Sequence, residues 1–284
     1  MSLDRVGVVG GGTMGAGIAE VSARAGCDVV VLEVSDAALD AARGRIDTSL
    51  GRAVRSGRLD ESERDDVLSR LHFVTDYAHL SDRDLVIEAA PEDEQLKFEI
   101  FRTLDFIVQP SAILASNTSS IPLVKMAAVT KRPQQVVGVH FFNPVPVLPL
   151  VEIVESLLTS PATLLAVTDF AEKRLLKQTI RSKDRAGFVV NALLIPYLLS
   201  AIRMLESGFA SAEDIDHGMV QGCAHPMGPL ALTDLIGLDT TAAVAQSMYA
   251  EFKEQLFAPP PLLMRMCEAG LLGRKVGQGF FAYA

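Results

Sequence analysis

The sequence predicts an α/β fold: a doubly wound, mostly parallel sheet followed by a second domain that is all helix. Three observations carry this expectation. The chain opens on strand, glycine turn, helix and strand in immediate succession, from Arg5 to Leu32. Apolar strand runs then alternate with helical patterns as far as Arg181, the arrangement that builds a parallel sheet from βαβ units. Beyond Lys183 to Gly187, which reads as a linker, the pattern is helical almost throughout. The domains are accordingly placed at 1–183 and 184–284.

Arg5 to Val9 is a strand rich in valine, and Gly10-Gly11-Gly12-Thr13-Met14-Gly15 follows it directly. A helical pattern through Ile18, Val21, Ser22 and Ala25 is stopped by Gly26, and Val29 to Leu32 is a second strand ending on Glu33. This is G-x-G-x-x-G in the context of a Rossmann-type unit. Gly10 permits the tight turn, Gly12 lets backbone approach a pyrophosphate, and Gly15 lets the helix pack close to the strand. The amide-rich helix N-terminus, with Thr13 and Met14, then faces the phosphates. Glu33 can accept hydrogen bonds from both ribose hydroxyls and would repel a 2′-phosphate. NAD is the expected cofactor, with Ser35 and Arg43 leaving NADP open.

The alternation continues. Asp84 to Ala89 is a buried strand ending in Glu88, and Glu92 to Leu104 is an amphipathic helix. Ala112 to Ser116 is another strand, running into Ser116-Asn117-Thr118-Ser119-Ser120. Ligands of an open parallel sheet sit beyond the carboxyl ends of its strands, and Glu88, Asn117, Ser119 and His140 all fall there. Between these units lies a helical insertion, roughly 36–71, carrying Arg43, Arg45, Arg52, Arg55 and Arg58. At 100° per residue Arg45, Arg52 and Arg55 share one face. Such a face is either solvated or a grip for a polyphosphate ligand.

Composition narrows the classes. With a net charge of −9, broad binding to nucleic acid or to an anionic membrane is not expected, so an anionic ligand must be held by local groups. Cys27, Cys223 and Cys267 lack metal-ligand spacing and read as reduced thiols, and no metal site is expected. The longest apolar stretch, Phe188 to Ile202, is interrupted by Asn191 and Pro196 and is too short to span a bilayer. No leader pattern precedes the first strand, and the expected location is the cytoplasm.

The segment 138–152 concentrates the chemistry. Val136 to Val139 reads as a buried strand that delivers His140; Pro144, Pro146 and Pro149 break regular structure, and a strand-like alternation resumes from Leu150 to Val154 with Glu152 in it. Two strands joined by a short rigid loop can bring His140 and Glu152 face to face. A carboxylate on one imidazole nitrogen fixes the tautomer and leaves the other nitrogen to act as a base. The bland alternative, a histidine packed in a strand and a solvated glutamate, stays open on this segment alone.

In the last third, Phe188 to Met204 is apolar on nearly every face, the mark of a helix buried in a core or a subunit interface. Asn191 within it needs a hydrogen-bonding partner, in the core or on a ligand. Ser211 to Asp214 reads as a helix start, and Pro226, Gly228 and Pro229 separate that helix from one beginning near Leu230.

Taken in order, Gly10 to Gly15, Ser116 to Ser120, His140-Phe141-Phe142-Asn143-Pro144, Gly187-Phe188-Val189-Val190-Asn191, His225-Pro226-Met227-Gly228-Pro229 and Gly277-Gln278-Gly279-Phe280 resemble the L-3-hydroxyacyl-CoA dehydrogenases, above all the bacterial stand-alone 3-hydroxybutyryl-CoA enzymes. The resemblance implies His140 as catalytic base, Glu152 as its partner, and Ser119 and Asn191 as contacts of the reacting group. It implies Glu92, Lys97, Asn117 and Lys275 near the cofactor, and Ser49, Arg52 and Asn143 on the acyl-CoA substrate. It also implies a homodimer formed through the helical domain. This chain has Ala186, Ala192 and Ser56 where many members carry Pro, Arg and Lys.

The implied reaction is reversible hydride transfer between C3 of a 3-hydroxyacyl-CoA and NAD, with His140 taking or returning the hydroxyl proton. Two alternatives stand beside it: a dehydrogenase of small non-CoA hydroxy acids using the same pair, and a dinucleotide-binding protein without catalysis.

Overall fold

Runs of valine, isoleucine and leucine make the strands, and burial of those runs on both faces is what a parallel sheet between two helical layers requires. The computed structural model describes residues 3–283 and divides into two compact units, Met1–Arg185 and Ala186–Ala284.

In the first unit the chain runs β1 (Arg5–Val9), α1 (Thr13–Arg24), β2 (Asp28–Leu32), α2 (Asp36–Arg55), α3 (Glu61–Ser69), β3 (Leu71–Val74) and β4 (Leu85–Glu88). It continues through α4 (Glu94–Ile107), β5 (Ile113–Ser116), α5 (Leu123–Ala128), β6 (Val136–Phe141), β7 (Leu150–Glu155), α6 (Pro161–Asp169) and β8 (Gln178–Lys183). Among the described residues these strands form one eight-stranded sheet in the order β3-β2-β1-β4-β5-β6-β7-β8. Neighbours from β3 to β6 are parallel; β7 turns back antiparallel to β6, and β8 runs parallel to β7. The mostly parallel, doubly wound sheet is therefore as expected. Its core joins Val6, Val8, Ile18, Val29, Val31, Leu85, Ile87, Val137 and Ile153.

Three local expectations change. The helical insertion ends before Leu71, which opens the edge strand β3 and pairs with Val29. Only Leu71 of that strand is fully buried, so a short half-polar run gave no strand pattern. Helix α4 begins at Glu94 behind an Asp93 cap, which leaves Glu92 outside the helix in the preceding loop. The unit boundary falls after Arg185, two residues past the expected one, because the Asp184 carboxylate accepts the backbone N–H groups of Leu123 and Val124 at 2.9 and 2.8 Å.

The second unit is helical: α7 (Val190–Glu206), α8 (Ala212–Cys223), α9 (Pro229–Ile236), α10 (Leu238–Phe252) and α11 (Pro261–Glu268). Ile195, Leu199, Ile202, Leu230, Leu238, Ala245, Met248 and Leu263 form its core. The expectation that α7 is buried all round does not hold within the chain. It buries the stripe of Ile195, Leu198, Leu199 and Ile202, while Leu193 is 74% exposed. Asn191 sits half-buried in the first turn of α7, so it is not an amide sealed in a core.

Asp234 fastens the tail. Its buried carboxylate accepts the N–H groups of Phe280 and Phe281, each at 2.9 Å, and the Tyr283 hydroxyl at 2.8 Å. A Cβ on Gly279 would lie 1.9 Å from Asp234 Oδ1, so only glycine lets the tail lie this close.

Candidate active site

The antiparallel register of β6 and β7 puts His140 directly opposite Glu152. His140 is 7% exposed and Glu152 fully buried, and Nδ1 lies 2.7 Å from Oε2. With Glu152 ionised, Nδ1–H donates to the carboxylate and Nε2 becomes the basic nitrogen. The Phe142 ring packs edge-on to the imidazole at 4.7 Å and restricts its orientation. The packed-histidine alternative is thereby narrowed, since a solvated glutamate is not what the structure contains.

The loop joining the two strands is pinned. Lys177 Nζ donates to the carbonyls of Val145 and Leu148 at 2.6 and 2.7 Å. Burial pushes the Lys177 ammonium below its usual pKa; Arg24 adds to that and Glu20 opposes it. The Asn143–Pro144 peptide in this loop is cis. On the other side of β6, Asn117 Oδ1 accepts the Phe141 N–H at 2.9 Å and so ties the end of β5 to the end of β6.

The glycine turn has the shape its motif requires. Gly10 adopts φ +94°, where a side chain is strained. A Cβ on Gly15 would stand 1.7 Å from the Gly10 carbonyl oxygen, so the first turn of α1 can approach only as glycine. Nothing lies within 4 Å of where a Gly12 Cβ would be, and no side chain caps the N-terminus of α1. Backbone N–H groups of that turn are therefore available to an anionic group above Gly12. Thr13 is exposed there and Met14 half-buried.

Glu33 Oε1 accepts the Gly11 N–H at 2.6 Å and Oε2 the Val34 N–H at 3.1 Å, which fixes a carboxylate at the end of β2. Ser35 caps α2, while Arg43 pairs with Asp40 and stacks over Phe73. An open pyrophosphate cradle, a helix N-terminus and a fixed acidic residue together fit a dinucleotide.

Below this turn lies a charged network. Glu88 is fully buried and accepts Lys97 Nζ at 2.6 Å, the Ala90 N–H at 2.7 Å and Ser116 Oγ at 2.6 Å. Lys97 also reaches the Ala90 carbonyl and Glu92 Oε2. Glu92 Oε1 in turn accepts from Thr118 and Ser120 hydroxyls and from the Ser119 and Ser120 N–H groups.

A cavity of about 590 Å³ lies against α1, α2 and the proline loop; Thr13, Gly17, Arg45, Ser49, Arg52 and Asn143 are among the residues lining it. His140, Ser119 and Glu33 are not in its lining. The expected face of three arginines divides, because Arg55 lines a separate cavity with Asp47, Glu61 and Arg64. In the second unit Lys275 pairs with Asp239 at 2.5 Å; burial pushes that carboxyl up, but Lys275 and the backbone N–H groups of Asp239 and Thr240 together hold it below its usual range. Among the described residues no cluster of three or more His, Cys, Asp or Glu could hold a metal, and no helix is long and apolar enough to cross a membrane.

Sequence reasoning missed the roles of Lys177, Asp184 and Asp234. Each is a lone charged residue whose named partners are distant in sequence, mostly backbone groups with the Tyr283 hydroxyl added for Asp234, so no local pattern marks it.

The family model of the 3-hydroxyacyl-CoA dehydrogenase NAD binding domain matches residues 5–185, and that of the C-terminal domain matches residues 187–283. The chain belongs to the 3-hydroxyacyl-CoA dehydrogenase family. Its first unit is the family's NAD-binding domain, and its second is the family's C-terminal domain. A Mycobacterium tuberculosis 3-hydroxybutyryl-CoA dehydrogenase is 59% identical over 283 residues, covering 99% of each chain. The crystal structure of M. tuberculosis FadB2 matches all of both chains with a TM-score of 0.99 at 59% identity. The (S)-3-hydroxybutyryl-CoA dehydrogenase PaaH1 of Ralstonia eutropha does so with a TM-score of 0.94 at 46% identity.

Proposed function

We propose that this chain interconverts (S)-3-hydroxybutyryl-CoA and acetoacetyl-CoA, with NAD preferred and His140 as general acid and base. The single observation that carries this reading is the buried His140–Glu152 pair at the carboxyl end of a strand in a dinucleotide-binding sheet. Bound NAD supplies the hydride acceptor, and its reduced form the donor. The chain's own residues do the rest. His140 Nε2 takes the C3 hydroxyl proton in oxidation and returns it in reduction, while Glu152 stabilises the imidazolium between those steps. Ser119 partners the reacting oxygen, and the family resemblance adds Asn191 to it. Gly10, Gly12 and Gly15 with Thr13 and Met14 hold the pyrophosphate, and Asn117 keeps the end of β6 in place beside them. Lys275 is assigned to the cofactor by the resemblance.

Glu33 supports the preference for NAD: its fixed carboxylate repels a 2′-phosphate, and Arg43 and Ser35 already have other partners. Arg45, Arg52, Ser49 and Asn143 around one cavity favour a CoA thioester over a free hydroxy acid, since guanidinium groups suit phosphates. Steady-state kcat/KM for 3-oxoacyl-CoA substrates from C4 to C16, with free acetoacetate alongside and both cofactors, tests the reading. Acetoacetyl-CoA with NADH is expected to lead; equal turnover of free acetoacetate, or faster turnover with NADPH, would overturn it. Binding of NADH without any turnover would favour the non-catalytic alternative.

We also place the protein in the cytoplasm as a homodimer through its helical unit, where Leu193 and Phe209 are 74% and 79% exposed. Light scattering at twice the 30.5 kDa chain mass is the expected result, and a monomer at micromolar concentration would contradict it.

A further inference from the structure

We propose that Glu20, a carboxyl set in the wall of the cavity assigned to acyl-CoA, is a proton-linked binding residue that takes up a proton as the anionic thioester enters and so ties substrate affinity to pH. The inference rests on the reading above in which that cavity receives the CoA thioester.

The placement follows from α1. Thr13, Ala16, Gly17 and Glu20 recur at helical spacing and so share the face of α1 that lines the cavity. The proline loop closes on this face: a Cβ on Gly17 would lie 2.8 Å from the Val145 Cβ, and Lys177 holds the loop through the Val145 and Leu148 carbonyls. Helix α2 adds Arg45, Ser49 and Arg52 to the same lining. Glu20 is only 1% exposed, and its Oε1 is shut off from solvent without a hydrogen-bond partner. Arg24 Nη1, one turn along α1, stands 3.5 Å from that oxygen, longer than a charge-assisted bond of about 2.7–2.9 Å. The groups facing Glu20 are therefore Arg24 on its own helix, Ser49 and Arg52 on α2, and Lys177 beside the proline loop.

A carboxylate in such a place is held by a balance. Burial pushes the Glu20 carboxyl up, and the Ser49 hydroxyl, Arg24 and Arg52 oppose that without overcoming it. Its charged form depends on the positive groups around it, while its neutral form does not. Acyl-CoA carries phosphates, and Arg45 and Arg52 are the guanidinium groups of the lining that suit them. A phosphate on Arg52 withdraws part of the support for the Glu20 carboxylate and adds a negative charge near it. Both effects favour the acid, so the Glu20 carboxyl titrates higher in the complex than in the free protein. Such a group adds affinity that is complete below its titration in the free protein and is lost as pH rises through its titration in the complex. A purely structural ion pair between Glu20 and Arg24 would give substrate binding no such dependence.

Glu20→Gln keeps the shape of the side chain and removes its titration. Calorimetric titration with acetoacetyl-CoA, run in buffers of different ionisation enthalpy, counts the protons taken up per site. Other groups titrate in both proteins, so the difference between wild type and variant isolates the protons linked to Glu20. Between about pH 5 and about pH 8 the wild type is expected to take up more protons than the variant, by as much as about one per site. KM for acetoacetyl-CoA is expected to rise with pH about 3–10-fold more in the wild type than in the variant, the effect of up to about one pKa unit. Equal proton counts across that range, or KM profiles that run parallel, would overturn the proposal. If Glu20→Gln does not fold, infrared difference spectra of the wild type with and without free CoA read the same event. A protonated carboxyl is expected to gain there as a carboxylate fades, and no such exchange would also overturn the proposal. If acetoacetyl-CoA neither bound to the wild type nor turned over, the reading of the cavity would fail, and the inference with it.

Discussion

Replacing His140 with Gln is expected to lower kcat for acetoacetyl-CoA reduction by about 10²–10⁴-fold, the usual cost of losing a general acid or base. Glutamine can keep a hydrogen bond toward Glu152 but cannot carry a proton between the protein and the C3 oxygen. His140 faces Glu152 by strand register, with Nδ1 2.7 Å from the carboxylate and Phe142 against the ring. With NADH held by the glycine turn and Glu33 as proposed, its Kd is expected to stay within about threefold of the wild type. Stopped-flow and steady-state assays on a variant whose thermal midpoint matches the wild type would check this. Full turnover in such a variant would remove His140 from the role.

Gly15→Ala is expected to abolish measurable NADH binding and to destabilise the fold. The added methyl would sit 1.7 Å from the Gly10 carbonyl oxygen and 2.9 Å from its carbon. Both are backbone atoms, so relief requires the glycine turn itself to open. Overpacking of this kind costs about 1–3 kcal/mol or more. Gly12→Ala makes the contrast, because its methyl would meet nothing within 4 Å. That variant is expected to fold normally yet bind NADH at least about tenfold more weakly, since the methyl stands where a pyrophosphate must approach. Fluorescence titration with NADH and urea unfolding measure both. Gly15→Ala binding NADH like the wild type would contradict the assignment of the turn.

Much of this architecture is legible in the residues because local pattern and tertiary demand agree. Valine runs reach both sheet faces, the glycine turn sits between strand and helix, and prolines mark the bend that sets His140 against Glu152. What was not legible depends on partners far along the chain. Asp234 carries no local signal, and its partners Phe280, Phe281 and Tyr283 lie 46 to 49 residues away. Lys177 gives no hint that it spans to Val145 and Leu148. The arginine face fails for a different reason. Helical spacing places Arg55 beside Arg52, yet Arg55 lines a different cavity with Asp47, Glu61 and Arg64. Apolar spacing around α7 likewise could not show that Leu193 lies exposed on the chain's own surface.

If His140 and Glu152 act as one acid–base unit, a double-mutant cycle reads the coupling between them. kcat is measured for wild type, His140→Gln, Glu152→Gln and the double variant, all with acetoacetyl-CoA and NADH. If Glu152 works only by orienting and stabilising the imidazole, each single change is costly, and the double variant is expected to lie within about threefold of His140→Gln alone. Losses that multiply in the double variant would show two independent roles and contradict the account.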